Sequence, residues 1–263
     1  MIKSPLLTFR QILTIISKTD FAKEKKRMSP ILLGTLNLII YFVIAVILAF
    51  SGRILFTIPD EVFRKILHFI LLGSFYVLIV SYPTWLSAAL TAVIFELAVY
   101  PILALAERLK KYSEFTTERK SGELKQSLLL VYTMFAVVTA VCWGVFGDKY
   151  LALASFYAWG IGDAAAALVG KKFGRHKIVA PGLDGKKSCE GTASMFLFSF
   201  ASVFIILTLR GGLSLILCGV TAIAVGAVSA AAELYSRNGN DTVICPLSAM
   251  VTLLPLVHLF GGI

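Results

Sequence analysis

Charged residues are scarce in this chain of 263 residues, at 15% of the total. Water-soluble domains carry roughly a quarter charged residues, because charge keeps their surfaces dispersed in water. The hydrophobic content of 58% and the mean hydropathy of +0.85 add to this deficit, and they also exclude a disordered chain, which requires low hydrophobicity. The composition therefore excludes a water-soluble globule and favours a membrane protein.

Acidic residues are the scarcer charged class, with 15 Asp and Glu against 25 Lys and Arg, so that the net charge is +10. In a soluble protein this excess would indicate nucleic-acid binding. In an apolar chain it is typical of basic loops that face anionic lipid or a polyanionic substrate. We therefore expect no nucleic-acid partner.

Cysteine is also rare, and none of the four cysteines belongs to a C-x-x-C pair. Neither a zinc site nor a disulfide framework is predicted from this spacing. The alternation of apolar and polar residues that marks membrane β-strands is absent as well, which argues against a barrel.

Long apolar stretches are abundant. A transmembrane helix needs about 20 mostly apolar residues, and helices satisfy their own backbone groups in lipid. Eight stretches qualify, at residues 31–50, 66–82, 84–106, 127–146, 150–170, 191–209, 212–234 and 244–260. The sequence therefore predicts an all-α polytopic membrane bundle of about eight transmembrane helices. We expect a basic amphipathic segment over residues 1–30 and an integral membrane catalytic domain over residues 31–263.

The basic residues are unevenly distributed between the predicted spans. The connections 107–126 and 171–190 each hold six Lys and Arg residues, and both lie on the same side of the membrane when eight spans are counted. The positive-inside rule places that side in the cytoplasm. The same count puts the N-terminal segment, with seven basic residues, on the outer side.

Four polar clusters fall on the predicted cytoplasmic side, and the first is Glu61–His68 at the start of the second span. On a helix, Arg64 and His68 share one face, as do Glu61 and Lys65. An interfacial anchor whose cations reach lipid headgroups would explain this stripe without any chemistry. A histidine inside an apolar span needs a partner, however, which favours a functional site. The second cluster, 118–125, has mixed charges around a glycine and is typical of a solvated loop.

The third cluster is the richest, and it joins an intramembrane aspartate to a basic, glycine-rich loop. Asp163 lies about two turns inside the fifth span, where a carboxylate is costly unless it is paired or binds a cation. The loop over residues 171–191 offers ammonium groups, a guanidinium and flexible backbone N–H groups, which suit triphosphate oxygens. A carboxylate beside such a loop predicts Mg²⁺, which is usually held by one or two carboxylates together with phosphates.

Two stretches in this region look like nucleotide-binding signatures, but neither predicts such a site. The G-x-G-x-x-A pattern at residues 160–165 lies in an apolar helix and does not follow a strand, so it predicts no Rossmann site. The sequence Gly-Lys-Lys-Ser at residues 185–188 lacks the first glycine of a P-loop and has Lys187 where Ser or Thr is required.

The fourth cluster comprises Glu233 at the end of the seventh span and residues 238–242, which by themselves predict a turn. Glu96, midway along the third span, is a further carboxylate in an apolar segment. It could neutralise a cation on another helix.

With these motifs in place, the chain resembles the CTP-dependent lipid kinases, which comprise dolichol, phytol and eukaryotic-type diacylglycerol kinases and are related to the phosphatidate cytidylyltransferases. The resemblance covers roughly residues 58–260 in order. The third motif is specific and the others are weak singly. The family often has Asp-Asn before the final proline, where this chain has Asp-Thr. The motifs are E-x-x-R-K-x-x-H at 61–68, G-E-L-K at 122–125, G-D-x-x-A-x-x-x-G-x-x-F-G at 162–174, K-S-x-E-G at 187–191, and an acidic turn before proline at 241–246.

The resemblance implies transfer of the γ-phosphoryl group of CTP, or of another nucleoside triphosphate, to the hydroxyl of a lipid alcohol at the cytoplasmic face. Polyprenols, phytol and diacylglycerol all fit as acceptors. The implied catalytic residues are Asp163, Lys187, Glu190 and His68, with Asp163 and Glu190 as Mg²⁺ ligands. The implied nucleotide and phosphate ligands are Arg64, Lys65, Glu123, Lys125, Lys172, Arg175, Lys186, Ser188 and Asp241.

Two alternatives stay open at this point. A phosphatidate cytidylyltransferase would use related motifs, although its usual C-terminal His-Gly-Gly and Asp-Arg-x-Asp signature is missing from residues 235–263. An ion-coupled transporter would use Asp163 and Glu96 as ion ligands. The concentration of polar clusters on one side and the lack of a repeated half argue against transport.

Overall fold

The computed structural model describes residues 29–108, 122–179, 181, 183, 185, 187–237 and 239–263. Eight helices in this part of the chain are long and apolar enough to cross a membrane, which confirms the predicted all-α membrane fold. Their bounds are α1 Pro30–Leu55, α2 Asp60–Ser81, α3 Trp85–Ala106, α4 Glu123–Val138 with a π-helical continuation Thr139–Val145, α5 Lys149–Phe173, α6 Cys189–Arg210, α7 Leu215–Tyr235 and α8 Asp241–Leu259. The predicted N-terminal segment lies outside the described residues, except for its last two.

Side-chain caps set the starts of several helices. Ser29, Thr84, Asp148, Ser188 and Ser214 each accept a hydrogen bond from a backbone N–H in the first turn that follows. These caps satisfy donors that would otherwise lack a partner at a helix end. They also place the boundaries between helices at polar residues.

Three helices begin at least three residues earlier than the hydropathy predicts, and all three differences affect the polar clusters. Helix α4 begins at Glu123, four residues before its predicted span. Helix α2 begins at Asp60, six residues before the predicted span, so Glu61, Arg64 and Lys65 lie on its first two turns. Helix α8 begins at Asp241, so the predicted turn is wrong for Asp241 and Thr242. An acidic residue is favourable in a first helical turn because it faces the positive end of the helix dipole.

Helix α5 lies at the centre of the bundle and packs against α2, α4, α6, α7 and α8. Its small residues let neighbouring helices approach closely. A Cβ atom added to Gly160 would lie 2.1 Å from the Leu72 side chain of α2, and one added to Gly162 would lie 2.4 Å from Ser199 Oγ of α6. Small residues at such contacts are the usual means by which membrane helices pack.

The helices alternate in direction, because each is long enough to cross the membrane once. The connections that follow α1, α3, α5 and α7 therefore lie at one end of the bundle, which we call the polar end. The opposite end is joined by an ion pair between Asp148 and Arg210, which links the start of α5 to the end of α6.

Candidate active site

A buried ion pair joins α2 to the centre of the bundle near the polar end. Lys65 Nζ donates to Asp163 Oδ2 at 2.7 Å, and the two side chains are only 14% and 16% exposed. One helical turn further along α2, the Nε2 atom of His68 lies 2.9 Å from the carbonyl oxygen of Gly160. Because a carbonyl only accepts, Nε2 carries the proton of a neutral His68 ring and leaves Nδ1 as an acceptor.

A second ion pair joins the loop between α5 and α6 to the end of α7. Lys187 Nζ donates both to the carboxylate of Glu233 and, at 2.6 Å, to the Glu233 backbone carbonyl. Glu233 is 7% exposed. A buried carboxylate is costly in isolation, so the Lys187 ammonium is the partner that stabilises it.

The two ion pairs belong to one electrostatic cluster. Asp163 interacts with Lys187 as well as with Lys65, and Glu233 interacts with both Asp163 and Lys65. Asp241, the first residue of α8, interacts with Asp163, Lys65 and Lys187. We call these five residues the charge cluster. It brings together side chains from α2, α5, α7, α8 and one loop, and it holds three carboxylates against two ammonium groups.

The charge cluster has donor chemistry that fits Mg²⁺, a cation that prefers oxygen ligands and keeps several waters or phosphates. Among the described residues, no three His, Cys, Asp or Glu side chains lie close enough together to hold an ion by themselves. A site completed by phosphate oxygens needs only one or two carboxylates. Asp163 and Asp241, whose negative charges repel each other between α5 and α8, are the residues that would supply them.

Glu190, the other predicted metal ligand, has different partners. Its carboxylate accepts hydrogen bonds from the ring of His176 at 2.7 Å and from the backbone N–H groups of Arg175 and His176. It is neighbour to Gly191, which packs on α5 between Ala166 and Gly170. That contact is three to seven residues beyond Asp163, or about 5–10 Å along the helix axis. The structure therefore places Glu190 with the loop and not with Asp163.

A set of more exposed ion pairs surrounds the cluster at the polar end. Arg64 donates to Glu123 at 2.7 Å and to Glu61 at 3.4 Å, and thereby joins α2 to α4. Lys171, at the end of α5, contacts Glu61 at 3.1 Å. The Arg64–Glu123 and Lys171–Glu61 pairs each link two helices at the rim, where water screens the attraction.

A separate ion pair ties α3 to α4. Lys125 Nζ lies 2.8 Å from Glu107 Oε2 and 5.5 Å from the ring centroid of Tyr100. Glu123 and Lys125 are thus in the first turn of α4 and not in a loop, whereas residues 118–121 of the same predicted cluster lie outside the described residues.

The remaining predicted phosphate ligands fall, in the sequence, between the last turn of α5 and the start of α6. Lys172 and Arg175 are exposed, and Lys172 stands 5.2 Å above the ring of Phe173. Ser188 caps α6 by accepting from the Gly191 N–H at 3.2 Å. Lys186 lies outside the described residues.

The structure brings together five of the residues predicted from sequence, and it adds one that the prediction left without a role. The five are Lys65, His68, Asp163, Lys187 and Asp241. The added residue is Glu233, whose signal in the sequence is a carboxylate at the end of an apolar span. Glu96 differs from its prediction: the partner the structure gives it is a hydroxyl, Thr133 Oγ1 at 3.2 Å, and not a cation.

Comparison with known proteins gives one informative relative. The chain is 31% identical over 202 residues to the phytol kinase of Synechocystis sp. (strain ATCC 27184 / PCC 6803 / Kazusa), an alignment that covers 73% of this chain and 77% of that protein. No family model matches the chain. No solved structure matches it either. The extent and identity of the alignment with the cyanobacterial enzyme show that this chain belongs to the family of CTP-dependent lipid kinases.

Proposed function

We propose that the enzyme transfers the γ-phosphoryl group of CTP to the hydroxyl of a long-chain isoprenoid alcohol, with phytol as the first acceptor to test. The observation that carries this proposal is the charge cluster at the polar end of the bundle. At that depth, a nucleotide from the water and the hydroxyl of a lipid alcohol from the membrane reach the same groups. The similarity to phytol kinase supports an isoprenoid acceptor.

Lys65 and Lys187 are the groups we assign to the triphosphate. In the structure both ammonium groups are neutralised by carboxylates, Asp163 and Glu233. Phosphate oxygens form strong charge-assisted hydrogen bonds and would take over the two lysines. Lys172, Arg175 and Lys186 would add positive charge from the loop, and Arg64 and Lys125 from the rim.

This exchange of partners would release the carboxylate of Asp163, which together with Asp241 would hold Mg²⁺. When bound, the ion would neutralise the charge that develops on the transferred phosphoryl group. Because the nucleotide releases a ligand that the ion needs, the two should bind cooperatively.

The acceptor hydroxyl needs a group to receive its proton, and His68 is the residue we assign. Its Nε2–H is held by the Gly160 carbonyl, so the Nδ1 lone pair is the available acceptor. Phosphoryl transfer depends on positioning and charge neutralisation more than on strong base catalysis. Replacing His68 should therefore reduce kcat less than replacing Asp163.

We propose that the polar end faces the cytoplasm. Both connections with six basic residues lie at this end, and basic loops are retained on the cytoplasmic side. Cytoplasmic nucleotides would reach the charge cluster directly from that side.

Incubation of the purified protein in detergent or vesicles with phytol, Mg²⁺ and γ-labelled CTP tests the proposal. We expect labelled phytyl phosphate, whereas label released as pyrophosphate would indicate a cytidylyltransferase. A panel of lipid alcohols and four nucleoside triphosphates then establishes acceptor and donor. The Asp163→Asn variant should lose activity while staying folded. Asp60→Asn is the matched control, because Asp60 is exposed at the same end and Arg53 is its only ion-pair partner among the described residues.

A further inference from the structure

The loop between α5 and α6 is closed by a short antiparallel contact. Lys177 and Ser188 form an isolated β-bridge. The Ile178 N–H donates to the Lys187 carbonyl at 3.0 Å, and the Cys189 N–H donates to the His176 carbonyl at 2.9 Å. We call residues 176–178 and 187–189 the clasp. Because Lys187 lies within it, the clasp sets where the Lys187 side chain leaves the backbone.

The carboxylate of Glu190 holds the first half of the clasp, residues 176–178, through hydrogen bonds at Arg175 and His176. Its Oε1 atom accepts from the Arg175 N–H at 3.2 Å, the His176 N–H at 3.3 Å and the His176 ring Nδ1 at 2.7 Å. Among the described residues, its Oε2 atom makes a longer contact, 3.4 Å, to the His176 N–H. One oxygen of Glu190 therefore accepts three hydrogen bonds from the loop.

The packing around Ser188 holds the second half of the clasp, residues 187–189, in place. Ser188 is 3% exposed and caps α6. A Cβ atom added to Gly174 would lie 2.6 Å from Ser188 Oγ and 2.2 Å from the Gly170 carbonyl oxygen. The end of α5 and the start of α6 are therefore in close contact.

We propose that Glu190 is a positioning residue that closes the clasp and so aims Lys187 at the triphosphate, and that it is not a metal ligand. The inference rests on the proposed function, because it takes the ligand of Lys187 to be a nucleotide. The geometry separates the two roles. A Mg²⁺ ligand relies on the negative charge of Glu190, so a glutamine would hold the ion more weakly. Closing the clasp needs one acceptor oxygen, which a glutamine supplies equally well.

Hydrogen–deuterium exchange tests the clasp without any nucleotide. In the wild-type protein, the amides of Arg175, His176, Ile178 and Cys189 should exchange slowly. Glu190→Ala should speed exchange at all four, whereas Glu190→Gln should leave them protected. Retained protection of Ile178 and Cys189 in Glu190→Ala would show that the clasp closes without Glu190 and would overturn the proposal.

Steady-state kinetics test the role in catalysis. Glu190→Ala should raise the nucleotide KM about 10–100-fold, as expected when a ligand-orienting group is lost. With the nucleotide at a saturating concentration for each variant, the Mg²⁺ concentration for half-maximal activity should not change, and Glu190→Gln should behave as wild type. If Glu190→Gln shifts the Mg²⁺ midpoint as far as Glu190→Ala does, the residue is a metal ligand and the proposal fails.

The partner histidine supplies a thermodynamic cycle. His176→Ala should raise the nucleotide KM, and the double variant with Glu190→Ala should be no worse than Glu190→Ala alone, because both remove the same contact. Additive effects would contradict the pairing. His258→Ala, at the opposite end of the bundle, is the matched control and should leave KM unchanged. A wild-type protein without lipid kinase activity would refute the proposed function, while the exchange measurement would still test the clasp.

Discussion

Removing a lysine from the charge cluster should destabilise the protein far more than neutralising one of its aspartates. With all five groups ionised, three carboxylates face two ammonium groups, so the cluster carries one excess negative charge. Lys65→Met doubles this excess and leaves Asp163 without its 2.7 Å partner. Asp163→Asn removes the excess, and Lys65 still interacts with Glu233 and Asp241.

The burial of the pair sets the expected size of the effect. Breaking a buried ion pair by removing one partner costs about 3–5 kcal/mol. Lys65 and Asp163 are 14% and 16% exposed, so we expect the lower end of this range, about 3 kcal/mol, for Lys65→Met. In a protein of this size, that loss corresponds to a fall in Tm of about 6–12 °C. Asp163→Asn should change Tm little.

Thermal unfolding of the detergent-solubilised variants, followed by the fraction that remains monodisperse, measures this difference. The double variant Lys65→Met with Asp163→Asn should recover most of the lost Tm, because no carboxylate of the pair is left unpaired. All three variants should lose lipid kinase activity by at least about 100-fold, the scale on which a single electrostatic group contributes to catalysis. If Asp163→Asn lowers Tm as much as Lys65→Met, the charge balance described for the cluster is wrong.

Three further results are expected. Gly160→Ala should lower Tm, because the new Cβ would lie 2.1 Å from the buried Leu72 side chain, and such an overlap costs about 1–3 kcal/mol. The control is Gly219→Ala on α7, where the nearest atom outside the local helix backbone would be 3.9 Å away, and this variant should not lower Tm. Arg210→Met should lower Tm, because it leaves Asp148 unpaired at the opposite end of the bundle. The activity per folded molecule should match that of the wild type, and a different specific activity would show that this ion pair influences the charge cluster. Chelation of Mg²⁺ should abolish phosphoryl transfer and added Mg²⁺ should restore it, whereas full activity in excess chelator would remove the metal from the proposal.

The length and hydropathy of the apolar stretches explain why so much of the fold could be predicted from the sequence. Each apolar stretch has to satisfy its backbone hydrogen bonds within itself in lipid, so hydropathy and length suffice to predict a helix. All eight predicted spans correspond to helices of the structure. The errors lie at polar helix ends, such as the starts of α2 and α8, because a hydropathy window does not register charged residues that form a first helical turn.

The candidate site was predictable in its membership and not in its pairing. The sequence shows an aspartate inside a span, a basic loop and a polar stripe at the start of a helix. These features stand out because a charged residue in an apolar segment is costly and usually has a partner or a function. Which carboxylate meets which lysine depends on how the helices are rotated and how deeply each side chain lies. Sequence reasoning paired Glu190 with Asp163 and left Glu233 without a role, whereas the structure pairs Lys187 with Glu233 and ties Glu190 to the ring of His176.

By itself, then, the sequence determined the membrane class, the eight membrane-spanning helices of the described residues, the end of the bundle that carries the polar residues and the family. Those properties follow from composition, from local hydrogen bonding and from motifs that are contiguous in the chain. Only the tertiary structure decided that Lys65, Asp163, Lys187, Glu233 and Asp241 form one cluster and that Glu190 belongs to the loop. Those interactions join side chains up to 176 positions apart, as for Lys65 and Asp241, and they arise from the packing of glycine-lined helices around α5.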